Sequence, residues 1–153
     1  MGKKVLVAVD ADSVAYHSIS YGIQLAARMD SPLSLIIVES AKHPNKLASA
    51  DVLTREFNNS QYPWLDKVLN ESQRAGVRLE IFLTSGALVD ELIRFVQSQP
   101  SIQFIIMASP QDTGGKEGTA PGPSLRRLHS LFEGEILLVQ KGGHIVHVSD
   151  LHL

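Results

Sequence analysis

At 153 residues, with 44% hydrophobic and 20% charged side chains, the chain has the size and balance of one domain with a proper core, which excludes a disordered segment. A formal net charge of −2, with no Lys/Arg stripe, gives no electrostatic ground for a nucleic-acid partner. The absence of cysteine excludes disulfides and thiol chemistry and fits a reducing compartment.

The chain opens with Met1-Gly2-Lys3-Lys4 and passes directly into KVLVAVD (4–10), a near-continuous apolar run of the kind that forms a strand covered on both faces. That run is too short for a signal peptide, and no apolar stretch nears the roughly 20 residues that span a bilayer. The expected setting is cytoplasmic, without a membrane partner. Ser13 is placed to cap a helix carrying Val14, Ser18, Tyr21, Leu25 and Met29 on one face, ending before Asp30-Ser31-Pro32. A second apolar run, LSLIIVE (33–39), follows. Residues 40–62 are polar and read as a surface excursion with a helical piece near 50–57.

Trp64, Leu65, Val68 and Leu69 recur at helical spacing, and Gly76 closes that helix. In the strand VRLEIFLT (77–84), polar Arg78 and Glu80 alternate with apolar neighbours, as at the edge of a sheet. Leu88, Leu92, Ile93 and Val96 mark a third helix, stopped by Ser98-Gln99-Pro100. Then come the run FIIMAS (104–109), a short helix marked by Leu125, Leu128 and Leu131–Phe132, and the run EILLVQ (135–140). Strands alternating with helices in this way predict an α/β fold: one doubly wound, parallel five-stranded sheet. Residues 1–141 make up that domain, and 142–153 form a C-terminal extension that reads as an extra strand after Gly142-Gly143.

Right-handed crossovers make such a sheet reverse direction, and ligands bind beyond the carboxyl ends of the strands flanking the reversal. With the first strand central, the crevice lies between Asp10 and the loop opened by Ala108-Ser109. That loop holds Gly114, Gly115, Gly118 and Gly122 with Pro110, Pro121 and Pro123. Asp10 is suited either to a ribose hydroxyl or metal, or to accepting N–H bonds from the following helix. Asp10, Asp12, Ser109 and Lys141 also suggest a phosphoacceptor domain, but the aspartate required at the third strand end is replaced by Thr84-Ser85-Gly86. Tyr16, His17 and His129 read as packing residues, and no nucleophile–base set converges, so no catalytic residue is assigned.

KKVLVAVDADSVAYHSISYGIQLAARMDSPLSLIIVES, AGVRLEIFLTSGALVDELIRFVQSQPSIQFIIMAS and SLRRLHSLFEGEILLVQK together resemble universal stress proteins over residues 3–141. The resemblance implies strand order 3-2-1-4-5, as in adenine nucleotide alpha hydrolase-like folds, and a homodimer through the last strand, Glu135–Gln140. It also implies ATP or AMP as a cofactor in those members that carry a glycine motif. Its tentative site here comprises Asp10, the Val38 carbonyl, Ala108, Ser109, Gly122 and Ser124. The motif's first two glycines are replaced by Ala108 and Gln111. The third falls at Pro121-Gly122 or Gly122-Pro123, with Ser124 the nearby hydroxyl. Ala108 adds a Cβ where backbone would approach phosphate, the prolines remove N–H donors, and Asp112 and Glu117 add negative charge. The loop is therefore read as a mobile connection over 110–123, and the protein as a non-enzymatic dimeric domain acting in stress response through a partner or small ligand. Adenine-nucleotide binding with slow or no hydrolysis is the alternative.

The tail, IVHVSDLHL, resembles the first motif of metallophosphoesterases, with Asp150 and His152 as ligands beside His144 and His147. A two-metal site needs about four to six more ligands from later motifs. The reading adopted is a tail strand with solvated histidines, covering the edge of the fifth strand or crossing to a partner.

Overall fold

The computed structural model describes residues 3–11, 13–39, 63–108, 122–140, 142 and 144–148, with the side chains of 122–124 set aside. The helical piece expected near 50–57 lies outside them. In chain order the elements are β1 (Lys4–Asp10), α1 (Tyr16–Met29), β2 (Leu33–Glu39), α2 (Leu65–Arg74), β3 (Leu79–Ser85), α3 (Leu88–Ser98), β4 (Ile102–Ala108), α4 (Gly122–Leu131), β5 (Glu135–Val139) and β6 (Ile145–His147).

They form a six-stranded sheet in the order β3-β2-β1-β4-β5-β6. The first five strands are parallel and take the order expected from the sequence; β6 is added antiparallel to β5. β1 and β2 pair in register from Val5↔Leu33 to Asp10↔Val38, and β2 and β3 from Leu33↔Leu79 to Glu39↔Ser85. Every residue of β2 is buried, which accounts for its mainly apolar run, with Ser34 and Glu39 as its buried polar members. β3 lies at the sheet's edge, and its polar Glu80 accepts from Ser34 Oγ (3.3 Å) and meets Lys4 Nζ at 3.5 Å. The alternation in β3 is thus a polar row continued onto its neighbours.

Side chains alternate between two cores. Val5, Val7 and Val9 join Leu35, Ile37 and Ile106 beneath α1 and α2. Leu6 and Ala8 join Ile36, Val38, Ile105 and Leu138 beneath α3 and α4. The buried row of α1 is Ser18, Ile19, Gly22, Ile23 and Ala26. Of the face expected from spacing, Ser18 is buried, while Val14, Tyr21, Leu25 and Met29 pack at its margin. Gly22 explains the rotation: α1 lies so close to β1 that a Cβ at this position would run into the Val7 side chain.

α1 begins at Tyr16 with Ala15 at its N-cap, not at the expected Ser13. Ser13 instead closes a turn, its N–H donating to Asp10 O at 3.0 Å. The helix ends where Asp30 takes φ 56° and Ser31 N–H reaches back to Ala26 O at 3.0 Å. α2 closes as expected, with Gly76 at φ 73° and Val77 N–H on Ser72 O at 2.8 Å. Its Leu65 and Val68 are buried, but Leu69 is 40% exposed. α4 starts ahead of the leucines that mark it in sequence, with Pro123 in its first turn, where a missing N–H costs nothing.

Candidate functional site

Parallel strands deliver their carboxyl ends to one edge of the sheet, so Asp10, Val38, Thr84 and Ala108 share that edge. β1 is the switch point, because the chain winds from it to β2 on one side and returns to β4 on the other. The described ladder between β1 and β4 ends at Val7↔Ile106, while that between β1 and β2 continues to Asp10↔Val38. The carboxyl ends of β1 and β4 therefore flank the predicted crevice.

Asp10 is exposed there, at the head of the turn closed by Ser13. The Val38 carbonyl already accepts from Ala11 N–H at 2.9 Å, which leaves a second lone pair for a ligand. Ala108 is partly buried and pairs with Val139 of β5. Ser109 lies outside the described residues, as do 110–121 of the loop. Gly122 and Ser124 fall in the first turn of α4. The fold thus brings Asp10, Val38 and Ala108 to one edge, with the start of α4 following β4.

Beside this edge lies a groove of about 460 Å³ along the outer flank of α1, lined by Tyr16, His17, Ser20, Tyr21, Gln24 and Arg28. Its upper part is tied down on two sides. The Tyr16 hydroxyl donates to the Glu71 carboxylate of α2, which also accepts from Ser20 Oγ at 2.8 Å. Lys67 Nζ sits 4.4 Å over the Tyr16 ring. Burial first, then the bond to Glu71 and its charge, pushes the Tyr16 phenol above its ordinary range. On the other side His17 Nε2 lies 3.3 Å from the Val139 carbonyl and joins α1 to β5. Both residues are packing residues, as the sequence suggests, but their partners lie 55 and 122 positions away and leave no periodic signal.

A second polar cluster sits at the end of β3. Glu91 of α3 is only 8% exposed and accepts from Thr84 Oγ1 at 2.7 Å, with Arg94 Nη2 at 3.6 Å. No sequence motif marks this pair. In the tail, His144 is exposed and His147 Nδ1 meets Glu135 Oε2 at 2.6 Å; Asp150 and His152 lie outside the described residues. Among the described residues no group of three metal-ligating side chains converges, and no helix is long and apolar enough to cross a membrane.

No family model matches the chain, and no curated protein does. Solved structures do. Universal stress protein UspA from Lactobacillus plantarum is 13% identical over 89% of this chain and 96% of its own, with a TM-score of 0.60. A universal stress protein in complex with cAMP is 18% identical over 88% and 95%, with a TM-score of 0.58. A universal stress protein family protein from Arabidopsis thaliana with AMP bound is 14% identical over 90% and 91%, with a TM-score of 0.53. At such identities the likeness is one of architecture: this chain has the fold of the universal stress proteins, extended at one edge by β6.

Proposed function

We propose that this chain is a universal stress protein-like, non-enzymatic domain whose crevice takes a small ligand, with an adenine nucleoside monophosphate as the first candidate. The observation that carries this reading is the switch point itself, where Asp10 stands exposed at the end of β1 between the Val38 carbonyl and the end of β4. Asp10 would accept from ribose hydroxyls, and the spare lone pair of Val38 would accept from the exocyclic amine of the base. The first turn of α4, with Gly122 and Ser124, would offer N–H groups to one phosphate.

A monophosphate suits these residues better than a triphosphate. Ala108 and Gln111 stand where the binding motif has glycines, and Pro121 and Pro123 lack N–H donors. The solved structures with cAMP and AMP support the choice of ligand class. In the cell, such a domain would signal nucleotide state to a protein partner during stress.

Mass analysis of protein purified without added nucleotide, followed by calorimetric titration, tests the reading. AMP or cAMP should be carried through or should bind, and ATP should bind more weakly than about 100 μM, near −5.5 kcal/mol. No binding of any adenine nucleotide would defeat it, and a low-micromolar ATP constant would replace it with the triphosphate alternative.

A further inference from the structure

β5 does not leave its outer edge open. Gln140 N–H donates to His144 O at 2.8 Å and Gly142 takes φ 90°, so the chain turns back at once and lays β6 along β5. Leu138 faces Val146, with Leu137↔His147 and Val139↔Ile145 on either side. Hydrogen-bonded pairs alternate along an antiparallel ladder, so counting from Gln140 the Leu138↔Val146 pair is bonded and its two neighbours are not. Val148, just beyond β6, is fully buried in the core that holds Ile136 and Leu138. His147 and Glu135 close the outer rim at 2.6 Å.

Beneath this cover, Ile136–Val139 is an uninterrupted apolar edge, with no proline or charge to deter another strand. It is also self-complementary. With Leu138 opposite its own copy, Ile136 faces Gln140 and Leu137 faces Val139, so apolar residues meet on both faces and the edge-pointing backbone groups of Ile136, Leu138 and Gln140 find partners.

We propose that β6 is a cap folded back within its own chain, and that it competes with β5 of a second copy for a single edge. Self-association through Glu135–Gln140 then requires β6 and Val148 to leave their seat. The cap sets whether the chain pairs with itself.

Two full-length variants test this. The chain has no cysteine of its own, so Val139→Cys with Ile145→Cys places one disulfide across a non-bonded pair and locks β6 down. Val148→Asp drives the tail out of the core. The oxidised lock should run at monomer mass on a non-reducing gel and scatter light as a monomer, with self-association at least tenfold weaker than its reduced form. Val148→Asp should associate at least tenfold more tightly than the unmodified chain. Equal constants for oxidised and reduced protein would overturn the proposal, as would a folded Val148→Asp protein that associates no better than the original. A disulfide formed between chains would show that the tail is exchanged, which also overturns it. If Val148→Asp loses its helical circular dichroism, the oxidised and reduced lock alone decide.

Discussion

The hydroxyl of Tyr16 in the first turn of α1 donates to the carboxylate of Glu71 in α2, across 55 positions of sequence. Ser20 donates to the other oxygen of the same carboxylate at 2.8 Å, so one side chain of α2 pins two successive turns of α1. This pair fixes the groove's wall, and it makes stability depend on pH in a direction that can be derived.

The Tyr16 phenol lies above its ordinary value of 10.0 in the folded protein, chiefly through burial and then through Glu71. A raised value means that the neutral, donating form is favoured by folding. The contribution is complete below the unfolded value and is lost as pH climbs above about 10. Tyr16→Phe should therefore cost about 1 kcal/mol at pH 7 and lose less stability than the parent between roughly pH 9 and 11. Urea denaturation across that range measures both; parallel pH curves for the two proteins would show the link to be negligible.

Gly22 offers a prediction about packing. Its hydrogen faces Val7 at the closest approach of α1 to β1, where an added methyl has no room. Alanine favours a helix by up to about 1 kcal/mol over glycine, yet Gly22→Ala should destabilise by about 1–3 kcal/mol, because overpacking of a filled core outweighs propensity. A melting temperature at or above that of the parent would mean that α1 can lift away without cost.

These residues also show how far the sequence could be read. The runs that became β1, β2, β4 and β5 announced themselves because burial on both faces demands near-continuous apolar residues. Their order came from the family resemblance, since crossover handedness by itself requires only that the sheet reverse. The edge position of β3 was legible from Arg78 and Glu80. The burial of α1 was misjudged by one position: the face read from spacing passed over Ile19 and Ile23, which are fully buried, and gave no weight to Gly22 and Ala26, whose smallness lets the helix approach β1. Ser13 looked like a cap, but it belongs to the turn that follows Asp10, and the helix begins only at Tyr16 with Ala15 at its N-cap. Tyr16–Glu71 and His17–Val139 were invisible, because contacts between elements distant in sequence follow no period. Thr84–Glu91, though only seven positions apart, was hidden because it crosses from a strand to the following helix, where no one period runs through. Of the site, Asp10 and Val38 could be placed from strand ends alone.

Asp10 carries the prediction about ligand. If its carboxylate accepts from ribose hydroxyls, Asp10→Asn should weaken AMP by about tenfold, near 1.4 kcal/mol, while the protein stays folded with its stability lowered by no more than about 1.5 kcal/mol. Titration calorimetry on both proteins gives the ratio. An unchanged constant would move the ligand away from the end of β1.

Glu91 tests whether the carboxyl edge depends on a buried charge. Its carboxylate accepts from Thr84 Oγ1 at 2.7 Å, stands 3.6 Å from Arg94, and fills the space beside Gly86, where a Cβ would be 2.8 Å from Oε2. Gly86 itself holds φ 138°, a conformation that side chains resist. Its N–H donates to Glu39 O at 2.9 Å, so the turn after β3 is tied to β2 as well as to α3. Thr84→Val keeps shape but removes the donor, and should destabilise by about 1–3 kcal/mol because the carboxylate loses its short bond while buried. Glu91→Gln keeps the volume and accepts from Thr84 through its amide oxygen, so it should cost less than Thr84→Val. In a double-mutant cycle the two changes should couple by about 1 kcal/mol. Additive losses would mean that Thr84 and Glu91 stabilise the edge separately, and that the turn at Gly86 is held by its bond to Glu39 alone.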